Sequence, residues 1–414
     1  MLMKYYHFLL VILMLQFATA CNKDNPGKEN PTAVPIELTE KAAQVITKSN
    51  AFGIDLFTAV STEDADVNLM LSPLSASAAL TMLLNGCEGE TYTQIRDMLG
   101  YEGMTADEIN DAYQSLVSQL LAVDPQVELA LANAVWYRNG FVVKPPYIDA
   151  MESAFDARIE GLDFANPSAL ETMNQWASDN TNGKIPQVLN EISADAVMFL
   201  MNALYFKGSW TQQFDENGTV EDMFYLDDGS TVNTPMMNGN IPVKAISNEG
   251  YKAFEMFYGQ QNFSMVVIVP ETNLDEFLQN MESETWEEVT TELDSQIDPW
   301  EVPVVFPRFT FEYEKKLNAM LQSLGMTDAF NGALANLSGI SDASLVVSFV
   351  KQNTFVEVNE DGTEAAAVTT IGVELTSIGD EPVPIVVNKP FIFAIREQTT
   401  NSLLFIGKMV NPQL

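Results

Sequence analysis

The sequence predicts one α+β domain, on three observations. Helical patterns crowd its first half and strand patterns dominate the rest. Apolar stretches recur along nearly the whole length after residue 38, and neither a second linker nor an internal repeat interrupts them. Taken in order, residues 38–60 carry a helical pattern with Phe52, Leu56 and Phe57 on one face. Ser72-Pro73-Leu74-Ser75 opens a second helix, with a Ser cap, Pro in the first turn and Ala- and Leu-rich sequence to Gly86. Residues 91–99 and 105–123 read as helices, 127–137 as a strand before a turn at Asn139-Gly140, and 145–154 and 167–180 as helices again. A strongly apolar strand covers 196–206, and 220–275 is mostly β with a turn at Asp227-Asp228-Gly229. The last third holds one helix near 314–324 and several strands, 391–395 and 403–407 among them.

Charge and histidine count exclude more than any motif. The chain carries 57 Asp and Glu against 20 Lys and Arg, a net charge of −37. Such a surface repels phosphate and sulfate polymers, so neither nucleic acid nor a heparin-like polyanion is expected as a partner. The acids are scattered, as on a solvated surface. The one histidine is His7, within the segment read below as a signal peptide. The mature chain therefore lacks Ser-His and Cys-His catalysis and any histidine metal site. Mechanisms using carboxylates alone survive, but with this many acids chance pairs single nothing out. No cofactor or metal is expected.

At the N-terminus, Lys4 precedes an apolar run from Phe8 to Phe17, then Ala18-Thr19-Ala20 and Cys21. The run is too short to span a membrane and reads as a secretory signal, residues 1–20. Small residues just before a cysteine resemble the lipobox of bacterial lipoproteins, which implies that Cys21 becomes the lipidated first residue; cleavage without lipid is the alternative. Asn22 after the cysteine resembles cargo sent on to the outer membrane, there to be surface-exposed or released. Residues 21–37, rich in Pro, Asn and Lys, read as a flexible tether, with one domain over 38–414. Only Cys21 and Cys87 are present, so a lipidated chain has no intramolecular disulfide, and Cys87 reads as a buried inert thiol.

Glu357 to Pro384 stands apart. After Gly362 the odd positions are Thr363, Ala365, Ala367, Thr369, Ile371, Val373 and Leu375; the even ones are Glu364, Ala366, Val368, Thr370, Gly372 and Glu374. Small or apolar residues fill one side and charges occur only on the other, a pattern able to enter a sheet as a strand. A conventional half-buried strand is the simpler reading. Three alanines, Gly372 and the following turn-like GDEPVP argue against it.

The stretch NEDGTEAAAVT resembles the reactive-loop hinge of inhibitory serpins, and four further blocks match that family in order from about 45 to 414. Asn68, Ser72, Pro73 and Ser75 resemble a helix start; Asn174, Trp176, Thr181, Gly183, Lys184 and Ile185 a second block; Asn202, Phe206, Lys207, Gly208, Trp210 and Phe214 a third. Asn388-Lys389-Pro390-Phe391, Phe393, Arg396, Phe405, Gly407-Lys408 and Val410-Asn411-Pro412 resemble the C-terminal signature. The resemblance implies a serpin fold with three β-sheets, about eight or nine helices and an exposed reactive-centre loop. It also implies a monomeric, non-enzymatic protease inhibitor that is cut and then inserts its loop into the main sheet. Gly362 and Thr363 look like the hinge that enters first, followed by Glu364, Ala365, Ala366, Ala367, Val368 and Thr369. Ser72, Ser75 and Asn202 resemble shutter residues, Trp210 resembles the aromatic at the top of the sheet, and Gln352 stands where many members carry a histidine. Family spacing points to Thr376-Ser377 as the reactive bond, with Val373, Glu374 and Leu375 as alternatives. Neither Lys nor Arg lies between Lys351 and Lys389, which points to elastase-like or chymotrypsin-like targets, and to papain-like cysteine proteases beside them. A noninhibitory serpin-fold binding protein and a carboxylate-dependent hydrolase are the competing readings.

Overall fold

Thr39 opens the first helix, its hydroxyl accepting from the Ala42 amide at 3.1 Å. The computed structural model describes residues 32–363 and 383–414. Cys21, the hinge residues Glu364, Ala365, Ala366, Ala367, Val368 and Thr369, and the reactive-bond candidates Val373, Glu374, Leu375, Thr376 and Ser377 lie outside the described residues. Residues 33–414 form one unit. Its helices are α1 (Glu40–Glu63), α2 (Pro73–Leu84), α3 (Gly89–Met98), α4 (Ala106–Leu120), α5 (Pro145–Phe155), α6 (Pro167–Asp179), α7 (Leu274–Leu278), α8 (Ser283–Asp294) and α9 (Asn318–Ser323). Its strands are β1 (Leu69–Leu71), β2 (Val127–Arg138), β3 (Arg158–Leu162), β4 (Met198–Ser209), β5 (Val220–Tyr225), β6 (Thr231–Asn248), β7 (Tyr251–Tyr258), β8 (Phe263–Pro270), β9 (Trp300–Pro307), β10 (Phe309–Lys316), β11 (Lys351–Val358), β12 (Gly362–Thr363), β13 (Ile385–Val386), β14 (Phe391–Glu397) and β15 (Leu403–Met409).

The three expected sheets form two continuous ladders because one long strand serves twice. β6 pairs with β5 and β9 along its first part and with β7 from Val243 onward. The resulting nine-stranded sheet runs β1-β15-β14-β8-β7-β6-β9-β13, with β5 also on β6. The six-stranded sheet runs β10-β11-β12-β4-β2-β3. Between the two, a phenylalanine cluster of Phe306, Phe309, Phe311, Phe391 and Phe393 packs ring to ring at centroid distances of 5.4 to 6.4 Å. α6 lies over the other face of the six-stranded sheet on a smaller core of its own, where Trp136 and Trp176 meet edge to face at 6.2 Å.

Two expectations change. The tether was expected to reach residue 37, but the chain is fastened from Val34. Val34 exchanges both backbone bonds with the Asn262 side chain, at 2.9 and 2.7 Å, and the Ile36 amide donates to the Thr399 hydroxyl at 3.0 Å. Ile36 is buried, and that apolar anchor explains the docking. The helix expected near 314–324 begins only at Asn318. Before it, β10 alternates buried Phe309, Phe311 and Tyr313 with exposed Thr310, Glu312 and Glu314, the period of a strand. Helices α7 and α8 follow the β-rich stretch and were not anticipated; α8 buries Trp286, Val289 and Leu293 on one face.

Candidate functional site: the slot of the six-stranded sheet

Among the described residues, β4 and β11 are joined only through the two residues of β12. Gly362 pairs with Ser209, and Thr363 pairs with Gly208 on one side and Val358 on the other. The chain turns into this position over residues 359–362, where the Asn359 side chain accepts from the amides of Asp361 and Gly362 at 3.1 and 3.2 Å. Only glycine fits at 362: its φ is +155°, and a Cβ there would lie 2.1 Å from the Gly208 carbonyl oxygen.

An aromatic stack holds Thr363. The Thr363 hydroxyl shares a 2.7 Å hydrogen bond with the Tyr258 hydroxyl, and Trp210 lies flat on the Tyr258 ring at 4.4 Å. The Trp210 indole donates to the Asn359 carbonyl at 3.0 Å. Burial pushes the Tyr258 phenol far above its ordinary range, so the hydroxyl keeps its proton. The Glu360 carboxylate, almost buried, accepts from the Thr219 hydroxyl at 2.6 Å and faces Arg308 at 3.6 Å.

Below Thr363 a small recess opens between Leu204 and Phe206 on β4 and Phe355 and Val356 on β11. Thr181, Lys184 and Ile185 also line it, Lys184 contacting the Phe355 ring at 4.5 Å and Glu357 at 3.3 Å. Further down, each lip of the slot bonds separately to the start of α2. On the β11 side, the Gln352 amide donates to the Ser72 carbonyl at 2.8 Å and accepts from the Ser72 amide at 3.3 Å. On the β4 side, Ser75 donates to the Asn202 side-chain oxygen, and Asn202 donates to Asn133 at 2.6 Å. Ser72 caps α2, accepting from the Ser75 amide at 3.2 Å, and donates to the Leu404 carbonyl of β15 at 2.8 Å. Gln352 thus takes up both backbone groups of Ser72.

The structure places Ser72, Ser75, Asn202 and Gln352 together beneath the slot and Trp210 at its top beside Gly362 and Thr363. Three participants were not foreseen. Asn133 was visible as the one amide in the apolar run LALANAVWY, and a lone polar residue in such a run signals a buried partner. Tyr258 and Glu360 meet partners more than a hundred positions away, and no local pattern marks them.

Among the described residues, then, β4 and β11 are neighbours joined only at one end, where Gly362 and Thr363 lie between them. The family model "Serpin (serine protease inhibitor)" matches residues 47–412, and the chain belongs to that family. It is 31% identical to an uncharacterized serpin-like protein of Methanosarcina acetivorans, covering 98% of this chain and 97% of that one. It is 32% identical to the leukocyte elastase inhibitor of Sus scrofa, covering 89% of this chain and all of that one. The native state of the thermophilic serpin Tengpin superposes with a TM-score of 0.79 at 30% identity, over 92% of this chain and 97% of Tengpin. The family is one of protease inhibitors and not of enzymes.

Proposed function

We propose that this serpin traps serine proteases of elastase-like or chymotrypsin-like specificity, and papain-like cysteine proteases beside them, by inserting its cut loop between β4 and β11. The observation that carries this reading is Gly362–Thr363 already paired between those strands. Continuing that register, seven further residues bring Thr370 opposite Lys351, because Thr363 faces Val358. The side chains sharing the buried side of Thr363 would be Ala365, Ala367 and Thr369, small enough to slide past Gln352 and Thr354. A strand of about a dozen residues, at a net ~0.5–1.5 kcal/mol per hydrogen bond, offers on the order of ten kcal/mol. That is comparable with the stability of a whole domain, so the uncut state is held by kinetics.

The attacking protease cleaves at Thr376-Ser377, or at a neighbouring bond from Val373 onward through Glu374 and Leu375, and remains as the acyl-enzyme when the loop inserts. The named target of the pig relative agrees with the absence of basic residues between Lys351 and Lys389. Cys21, once lipidated, tethers the chain to the outer membrane through residues 22–33, and the inhibitor works as a monomer. The test mixes the purified chain with elastase, chymotrypsin and papain, followed by denaturing gels and mass spectrometry. A covalent band at the summed mass, with a released peptide beginning between Glu374 and Ile378, is expected. Cleavage in that window by every protease without a covalent band would leave a noninhibitory serpin.

A further inference from the structure

Far below the entrance, the two lips of the slot meet once more. Phe199 lies near the start of β4, paired with Trp136 of β2. Phe349 lies two residues before β11. Their rings approach to 6.0 Å between centroids at a tilt of 54°, within the distances at which aromatic pairs attract. Among the described residues this is the one ring pair between the two lips.

Each ring is positioned from outside the contact. Phe164 packs on Phe199 at 5.5 Å. On the other lip, the Asn318 side chain grips the backbone on either side of Phe349, donating to the Ser348 carbonyl at 3.0 Å and accepting from the Val350 amide at 2.9 Å. The Leu317 amide adds a bond to the Val350 carbonyl at 2.8 Å. The backbone that carries Phe349 is thus fixed at the head of α9, and its ring reaches from there to β4. Both rings pack in the smaller core beneath α6, with Trp136, Met173 and Trp176. The bonds of Gln352 and Ser75 to α2 serve the opposite face of the sheet, so the ring pair restrains the slot on the face they leave free.

The two rings also share one height. From Thr363, which faces Gly208 and Val358, nine positions of antiparallel strand lead to Phe199 on one lip and to Phe349 on the other. That is ~30 Å from the entrance. Neighbouring strands lie ~4.8 Å apart, so a strand between the lips would set them ~10 Å apart at this height and open the contact. In the sequence, the ninth position after Thr363 is Gly372, the one glycine between Thr363 and Ile378. A residue without a side chain is the one that two facing rings would admit most readily.

We propose that Phe199 and Phe349 form an aromatic latch across the far end of the slot, holding the lips together until a strand arrives. The inference rests on strand entry between β4 and β11, and it adds a restraint on that entry. Removing either ring abolishes the contact, so the two substitutions are coupled. Rings that only filled the core beneath α6 would act separately.

The probe is an acetylated peptide of residues 364–374, added to the purified full chain and followed by native mass spectrometry. Phe199→Ala and Phe349→Ala should each take it up about twofold to tenfold faster than wild type, the range that one ring pair supplies. The double variant should gain no more than the faster single one. A peptide carrying Gly372→Val should enter wild type more slowly than the parent peptide, yet enter the double variant at the parent rate. Lost packing alone cannot produce that rescue. Urea midpoints verify folding, and if an alanine variant does not fold, Phe349→Leu keeps an apolar side chain under α6 and should still gain. Uptake at the wild-type rate in the folded variants overturns the proposal, and so does a double variant that gains by the product of the singles. If neither wild type nor any variant takes up peptide, the latch falls together with strand entry. Uptake in the expected order without covalent complex toward any protease would fault the trapping mechanism and leave the latch standing.

Discussion

The two sheets of this serpin are built to opposite standards. In the nine-stranded sheet the central neighbours are paired along most of their length, and β14 is matched on both sides by β8 and β15 over six registers each. Its residues 391–397 are all buried. The six-stranded sheet is as well paired at its flanks, where β2 and β4 share eleven registers and β10 and β11 share eight. Among the described residues its centre is held by two residues of β12 and by side chains that lead away to α2. The difference teaches where, on the proposed mechanism, the free energy of inhibition resides. On that proposal the closed sheet is a frame that does not yield, and the lips of the other sheet, which no described strand joins below β12, supply the gain realised when a strand arrives.

The largest effect should come from plugging the open sheet at its entrance. Thr363→Arg puts a long charged side chain where the hydroxyl meets Tyr258 in a buried site. An arginine there has no carboxylate within the stack formed by Tyr258 and Trp210, and burying it unpaired is costly. Loop cleavage should continue at the wild-type rate while covalent complex on denaturing gels falls at least about tenfold, which turns inhibitor into substrate. Undiminished trapping would mean that the hinge does not enter where β12 marks.

The closed sheet is sharpened by the reverse experiment. Phe393 is fully buried and its ring touches Phe309, Phe311 and Phe391. Phe393→Ala should cost about 3–5 kcal/mol of stability in urea unfolding through the cavity it leaves. If the frame is common to the uncut form and to the inserted form proposed above, the protein that remains folded should still trap protease at one inhibitor per enzyme. A rise in inhibitor consumed per enzyme trapped would show that the frame also steers insertion.

How much of this was legible in the sequence follows the same division. Gly362 was reached through the family resemblance, and its constraint is local: it must tolerate a conformation and a backbone approach that exclude a Cβ. The start of α2 was legible for a similar reason, since Ser72-Pro73-Leu74-Ser75 writes a helix cap in four residues. What could not be read was partnership across the chain. Nothing near Tyr258 announces Thr363, and nothing near Glu360 announces Thr219. The misplaced helix at 314–324 failed because Phe309, Phe311 and Tyr313 alternate on a buried face before Asn318 begins the turn, and alternation only decides the matter once the face is known to be buried. The docked segment at 34–37 was hidden because four polar-flanked residues carry too little pattern to separate a tether from a strap.

The smallest effect concerns the outer edge of the open sheet and its response to pH. Asp64 closes α1 and meets β10: the Tyr313 hydroxyl donates to it at 2.5 Å and the Lys315 ammonium at 2.9 Å. Burial works to raise its pKa, but those bonds and the charges of Lys315 and Lys408 outweigh it, so the carboxyl falls below its ordinary 3.8. The unfolded chain then binds more protons in acid, and the stabilisation is present above pH 3.8 and lost as pH falls through the folded value. Lys315, raised above its ordinary 10.5, gives the mirror image, with stability present below 10.5 and lost as pH rises through its folded value. Cys87 is pushed up to about 12 by burial, and the only histidine is His7, so no histidine of the domain titrates between about pH 5 and 8. Asp55 is raised by burial and by Glu284 and Glu282, and works in the opposite sense to Asp64 in acid. Only the difference between wild type and Asp64→Asn therefore isolates the contact. That difference should be well under about 1 kcal/mol after solvent screening, constant from pH 5 to 8 in urea midpoints to within about the error of the method, and should shrink toward zero below about pH 3.5. A difference that persists in acid would place the value of Asp64 in its shape and its bond to Tyr313, leaving its charge without a part in holding the edge of the sheet.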